Sequence, residues 1–128
     1  MDEKLFSRNN ISLNQATGKK GEQLAAAFLT DNGFEILEKN WRHHHLEVDI
    51  IAAKNGRLHI VEVKTRNSTR YGHPEESITK NKMKFLKNAA EAYQYQHKQW
   101  LYLQFDVIAI TLISEIETEI FFIEDVYF

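Results

Sequence analysis

Apolar residues recur at helical spacing between Thr17 and Asn32, where Leu24, Ala25, Phe28 and Leu29 form one stripe. Thr17 is placed to cap that helix and Gly33 to stop it. The pattern then changes: "FEILEKNWR", "LEVDIIAA" and "LHIVEVK" read as three strands. Asn55-Gly56, between the last two, is a strong hairpin signal. Residues 67 to 77 hold the only proline and form a loop. Thr79 caps a second helix reaching about Gln96, with Ile78 placed to staple onto Met83 and an inner face of Phe85, Leu86, Ala89 and Tyr93. "LYLQFDVIAITLI" and "EIFFIEDVYF" complete the chain as strands, and Trp41, Trp100, Phe105 and the "IFFI" run are assigned to the core. The expected order is αβββαββ, an α/β fold. A right-handed crossover through the second helix would lay the fourth strand parallel to the third. Residues 1 to 16 read as a polar N-terminal arm, and 17 to 128 as a single domain.

The hairpin has a chemical consequence. With Asn55 and Gly56 as the turn residues, Ala53 faces Leu58, Ile51 faces Ile60, Asp49 faces Glu62 and Glu47 faces Lys64. Steps of two residues keep all eight side chains on one face. Glu47, Asp49, Glu62 and Lys64 would then cluster at the end away from the turn. Like charges directly opposite destabilise a sheet. An Asp49–Glu62 pair is therefore costly unless a cation lies between the carboxylates, and Mg²⁺ (or Mn²⁺) is the natural choice because it takes oxygen ligands and keeps several waters. Two structural alternatives stay open: a plain Glu47–Lys64 ion pair, and a slipped register with Asp49 hydrogen-bonded in a loop.

Composition narrows the function classes. A chain of 128 residues, 43% hydrophobic, can bury one continuous core. The lack of cysteine excludes disulfide scaffolds and zinc–thiolate sites and suits a reducing cytoplasm. No apolar run is long enough to span a bilayer, and no signal-peptide core is present, so no membrane partner is expected. The net charge of −2 does not announce a polyanion partner, but its distribution is polarised. Lys64, Arg66, Arg70, Lys80, Lys82, Lys84 and Lys87 form a basic stretch, whereas the residues from Glu115 onward carry acids and no base. Lys82 falls on the packed side of its helix, where it could reach over the sheet towards a phosphate or turn outward to water. His43, His44 and His45 alternate faces and cannot converge on one ion, so a polar loop is favoured for them.

Four segments, "GKKGEQLAAAFLTDNGFEILEKNWR", "LEVDII", "VEVKTR" and "YGHPEESITKNK", together resemble the YraN-like family of bacterial proteins (uncharacterised protein family 0102), from about Gly18 to at least Tyr93. The resemblance implies the PD-(D/E)XK nuclease superfamily, a restriction-endonuclease-like fold with a mixed five-stranded sheet flanked by helices, and a likeness to archaeal Holliday junction resolvases. It further implies that Asp49, Glu62 and Lys64 form the motif and that Glu22, on the first helix, completes the acids. Arg66, Tyr71 and Lys82 match positions that recur near the family's site. Leu46 departs from the family, which has glycine before the first acid of this segment.

The expected activity is metal-assisted hydrolysis of phosphodiester bonds. Asp49, Glu62 and Glu22 would hold Mg²⁺, and Lys64 would orient water or stabilise charge on the phosphate, with Glu47 supporting them from behind. Arg66, Arg70, Tyr71, Lys80, Lys82 and Lys84 would contact nucleic acid, DNA ahead of RNA and branched DNA among the candidates. Two other classes fit the same residues. One is a non-catalytic nucleic-acid-binding module. The other is a structural or partner-binding protein that uses the acidic, aromatic C-terminus as an interface, as in a homodimer.

Overall fold

The computed structural model describes residues 3–67 and 79–126, with side chains from residue 15 onward. Its elements are α1 (Glu3–Asp31), β1 (Glu35–His43), β2 (Leu46–Lys54), β3 (Arg57–Arg66), α2 (Lys80–Gln96), β4 (Leu103–Leu112) and β5 (Thr118–Ile123). The order is αβββαββ, as the sequence pattern predicts. The five strands form one mixed sheet in the order β1-β2-β3-β4-β5. Every neighbouring pair is antiparallel except β3–β4, which is parallel because the chain crosses over through α2 between them.

Both predicted chain reversals have the local geometry their residues favour. Gly33, at φ +87°, follows α1. Its N–H donates to Thr30 O and the Phe34 N–H to Leu29 O, the paired bonds of a Schellman stop. Asn55 and Gly56 both have positive φ, which a type I′ hairpin turn requires. At the start of α2, Thr79 Oγ1 accepts from the Lys82 N–H at 3.1 Å. The expected Ile78 staple lies outside the described residues.

Two expectations about the helices need correction. Thr17 lies inside α1 rather than capping it, because the helix continues back to Glu3. Residues 3 to 16 contain neither proline nor glycine, and extending a helix costs less than nucleating a new one. Phe85 is 49% exposed, while Met83, Leu86, Ala89, Ala90 and Tyr93 make the buried face of α2. At 100° per residue, position 85 falls beside that stripe rather than in it, and its ring meets His45 instead.

The helices cover opposite faces of the sheet. On one side Ala25, Ala26 and Leu29 of α1 pack with Ile50, Ala52, Val61, Ile108 and Ile110. On the other, Leu86, Ala89, Ala90 and Tyr93 of α2 pack with Val48, Ile51, Leu58 and Ile60. Trp41, Trp100 and Phe105 are partly buried against this second cluster. The "IFFI" run divides: Ile120 and Phe122 pack against the α1 cluster, and Phe121 is exposed because β5 is an edge strand with alternating faces. Among the described residues, no helix is long and apolar enough to cross a membrane.

Candidate functional site

The β2–β3 hairpin keeps its predicted register from the turn as far as Ile50–Val61, including Ala53–Leu58 and Ile51–Ile60. Pairing stops there. Instead of a continued ladder, Asp49 Oδ2 accepts the Val63 N–H at 2.8 Å. The alternation of β2 also breaks at this point. Val48 and Ile51 both join the α2-side cluster, while Ile50 joins the α1 side. The Asp49–Glu62 and Glu47–Lys64 rungs expected of an unbroken hairpin are therefore not formed. A carboxylate has taken the place of the backbone acceptor, and the two strands part around it.

This opening gathers charge from both faces. Glu62 is buried, 4% exposed, on the α2 side of β3. Its Oε1 lies 3.3 Å from Lys82 Nζ and 3.7 Å from Lys64 Nζ. Its Oε2 is buried with no hydrogen-bond partner among the described residues. A buried carboxylate oxygen without a partner carries a substantial desolvation penalty. Burial, and then the neighbouring Glu62 carboxylate, push the Asp49 carboxyl up from its usual 3.8 to about 7. The Val63 N–H opposes that rise, Glu22 adds to it, and Lys82 relieves it. Asp49 thus senses an acid on α1 and a lysine on α2 at once, which the gap between β2 and β3 makes geometrically possible.

The predicted residues separate into three groups. Asp49, Glu62, Lys64 and Lys82 come together. Glu22 stands close enough for its charge to reach Asp49, but its Oε2 accepts from Asn40 Nδ2 at 3.2 Å. Glu47 does not join them; it pairs with Arg42 at 3.6 Å across β1–β2. Position 47 faces away because the alternation of β2 is broken before it reaches the hairpin core. Arg66 is half-buried at the end of β3, and Lys80 and Lys84 are exposed on α2. Arg70 and Tyr71 lie outside the described residues.

The donor set fits a hard divalent ion in a limited sense. Among the described residues, no group of three or more His, Asp or Glu side chains is placed to hold a metal. Two carboxylates are nevertheless enough for Mg²⁺, which is commonly held by one or two acids with waters and substrate phosphate completing its shell. The unpartnered Glu62 Oε2 beside an Asp49 that resists ionisation is the pair such an ion would relieve.

The sequence profile of Uncharacterised protein family UPF0102 matches residues 21–110, well over half of the chain. The chain belongs to this family. A UPF0102 protein of Chloroherpeton thalassium is 41% identical over 125 residues, covering 91% of this chain and 97% of the relative. UPF0102 proteins of Rhodococcus opacus and Bacteroides thetaiotaomicron are each 43% identical, over 100 and 93 residues. They cover 77% and 73% of this chain, and 85% and 77% of their own lengths. The UPF0102 match encloses Glu22, Asp49, Glu62, Lys64 and Lys82.

Two residues at the site escaped the sequence reading. Gly21 faces β3 so closely that a Cβ there would overlap the Thr65 side chain. That contact seats the C-terminal half of α1 on β3 and brings the next residue, Glu22, over the gap. A glycine inside a helix is the available signal, because it weakens the helix without a packing reason. Asn40, which holds Glu22, sits in the left-handed region at φ 51°. Nothing in its local pattern marks it, since its role depends on a partner 18 residues away.

Proposed function

We propose that the protein is a metal-dependent nuclease of the PD-(D/E)XK type that hydrolyses phosphodiester bonds of nucleic acid, with DNA the expected substrate. One observation carries the reading: the buried Glu62 carboxylate, clasped on one oxygen by two lysines and, among the described residues, unpartnered on the other, lies beside an Asp49 whose charge it disfavours. A scaffold has no use for that expense, whereas a phosphate-processing site does. Asp49 and Glu62 would hold Mg²⁺ or Mn²⁺, with Glu22 in reserve on α1. The ion would polarise a phosphate oxygen and supply an activated water. Lys64 and Lys82 place two ammonium groups at the same carboxylate, where they can stabilise charge developing on a phosphate. Lys80 and Lys84, exposed on α2, and Arg66 extend the positive surface along which a backbone would run.

A specific feature favours a second reading, a nucleic-acid-binding module without turnover. Both lysines are already paired with Glu62, and Glu22 is engaged by Asn40. The same assay separates the two readings. Purified protein is incubated with labelled linear, nicked, flapped and four-way-junction DNA in Mg²⁺, Mn²⁺ or EDTA. The nuclease reading expects cleavage of at least one substrate that EDTA abolishes. Salt-sensitive binding with no cleavage in either metal would establish the module and end the enzyme reading.

A further inference from the structure

At the hairpin end of the sheet, on the face covered by α1, a cavity of about 330 Å³ is lined by Phe34, Lys54, Arg57, His59, Gln104 and Glu124. It lies apart from the Asp49–Glu62 gap. His59 is three residues before Glu62, roughly 10 Å along the strand, and on the opposite face. A continuous polar chain runs along its wall. Arg57 Nη1 donates to Gln104 Oε1 at 3.1 Å, and Gln104 Nε2 donates to Asp106 Oδ1 at 2.8 Å. The same Oδ1 accepts the Asp125 N–H at 3.0 Å. Asp106 Oδ2 lies 2.7 Å from His59 Nδ1.

Asp106 is fully buried and His59 nearly so, at 0% and 6% side-chain exposure. Replacing such a network with apolar residues of similar size is often neutral or stabilising, so bracing β3 to β4 alone does not account for it. Its geometry points into the cavity. A carboxylate can only accept, so the proton on this short bond belongs to His59 Nδ1, and Nε2 is the ring nitrogen left for a ligand. The imidazole is held edge-on against Phe34 with centroids 4.9 Å apart, which fixes its plane. Lys54 reaches over the Phe34 ring, Nζ 4.8 Å from its centroid, and gives one of its three donors to Asn32 O. Arg57 gives one of five donors to Gln104. Two cations and an oriented imidazole therefore converge on one small cavity, opposed at its rim by Glu124.

We propose that this cavity is a second binding site, selective for a small ligand that carries a phosphate or carboxylate group. Arg57 and Lys54 donate to the anion's oxygens, His59 Nε2 accepts from a protonated oxygen of the ligand, and Gln104 and Asp106 keep Arg57 and His59 aimed at the cavity. Glu124 sets an upper limit on affinity by repelling the same charge.

Amide and imidazole NMR spectra of the full chain, titrated with inorganic phosphate and separately with acetate at constant ionic strength, test the site. Saturable shifts centred on Arg57, His59 and Gln104 are expected with at least one of the two anions. Saturation by phosphate alone makes the ligand a phosphate compound, and saturation by both admits carboxylates. Arg57→Ala, at the exposed rim, is expected to weaken binding about tenfold through loss of a charge-assisted bond. Glu124→Gln should tighten it about threefold, the size of one surface charge interaction. Shifts that fail to saturate with either anion overturn the proposal. So does an Arg57→Ala protein that binds as the wild type does, or a Glu124→Gln protein that binds more weakly.

Discussion

Asp49 carries the largest cost in the molecule's candidate site. Its carboxyl keeps a proton up to about pH 7 in the folded chain, against 3.8 ordinarily. Between those values the folded state binds more protons than the unfolded one, so stability falls as pH rises through that window and stays reduced above it. The size of the loss is a few kcal/mol, from the free energy of shifting a titration by this much. Urea midpoints of the metal-free protein should therefore drop between pH 5 and pH 8. In Asp49→Asn, which cannot ionise, this part of the drop should vanish while an amide oxygen still accepts the Val63 N–H. A wild type and a variant with parallel pH profiles would show that Asp49 is not strained. Lys82 relieves Asp49, so Lys82→Met should raise the Asp49 midpoint further in a carboxylate NMR titration. If the protein cleaves nucleic acid, Lys64→Ala should slow it about 10²–10³-fold, the usual value of one positioned charge.

At the level of elements, the seat of α1 on β3 decides where the acids and lysines meet. Gly21→Ala should destabilise the fold by about 1–3 kcal/mol, as overpacking a close contact does, because the new methyl meets Thr65. Gly21→Ala combined with Thr65→Gly should recover most of that loss in denaturant midpoints. Recovery would fail if the glycine served the helix rather than the contact. This contact also marks the boundary of what the sequence could reveal. Gly33, Asn55-Gly56 and Thr79 announced their turns and cap because each acts through local backbone geometry. The hydrophobic periods placed α2 and all five strands, and the crossover gave β3 parallel to β4. Local pattern could not foresee the end of pairing after Ile50–Val61, since a side chain there replaces a backbone acceptor in a different strand. The acids and Lys64 were legible as a group, and so was Lys82 as a lysine that could reach over the sheet from α2, but Glu47 left the group for Arg42. Phe85 shows the limit of a helical period read one residue too wide.

Across the whole molecule, charge is polarised: bases gather between Lys64 and Lys87, and the chain after Glu115 carries only acids. A chain of net charge −2 can still bind a polyanion through such a stretch. Affinity for DNA should fall steeply with salt as counterions are released, and replacing Lys80, Lys84 and Lys87 with alanine should reduce the slope of log K against log salt by about 2–3, roughly one per lysine that meets a phosphate. Fluorescence anisotropy at several salt concentrations measures it, and an unchanged slope would remove α2 from the interface. The central claim, that Asp49 and Glu62 form a metal-dependent centre for phosphodiester hydrolysis, rests on Glu62 above all. It is tested most directly by single-turnover cleavage in Mg²⁺ with Glu62→Gln compared to wild type at saturating DNA. The account predicts that the variant binds DNA as well as wild type and cleaves it at no detectable rate. Equal cleavage by the two proteins would contradict it.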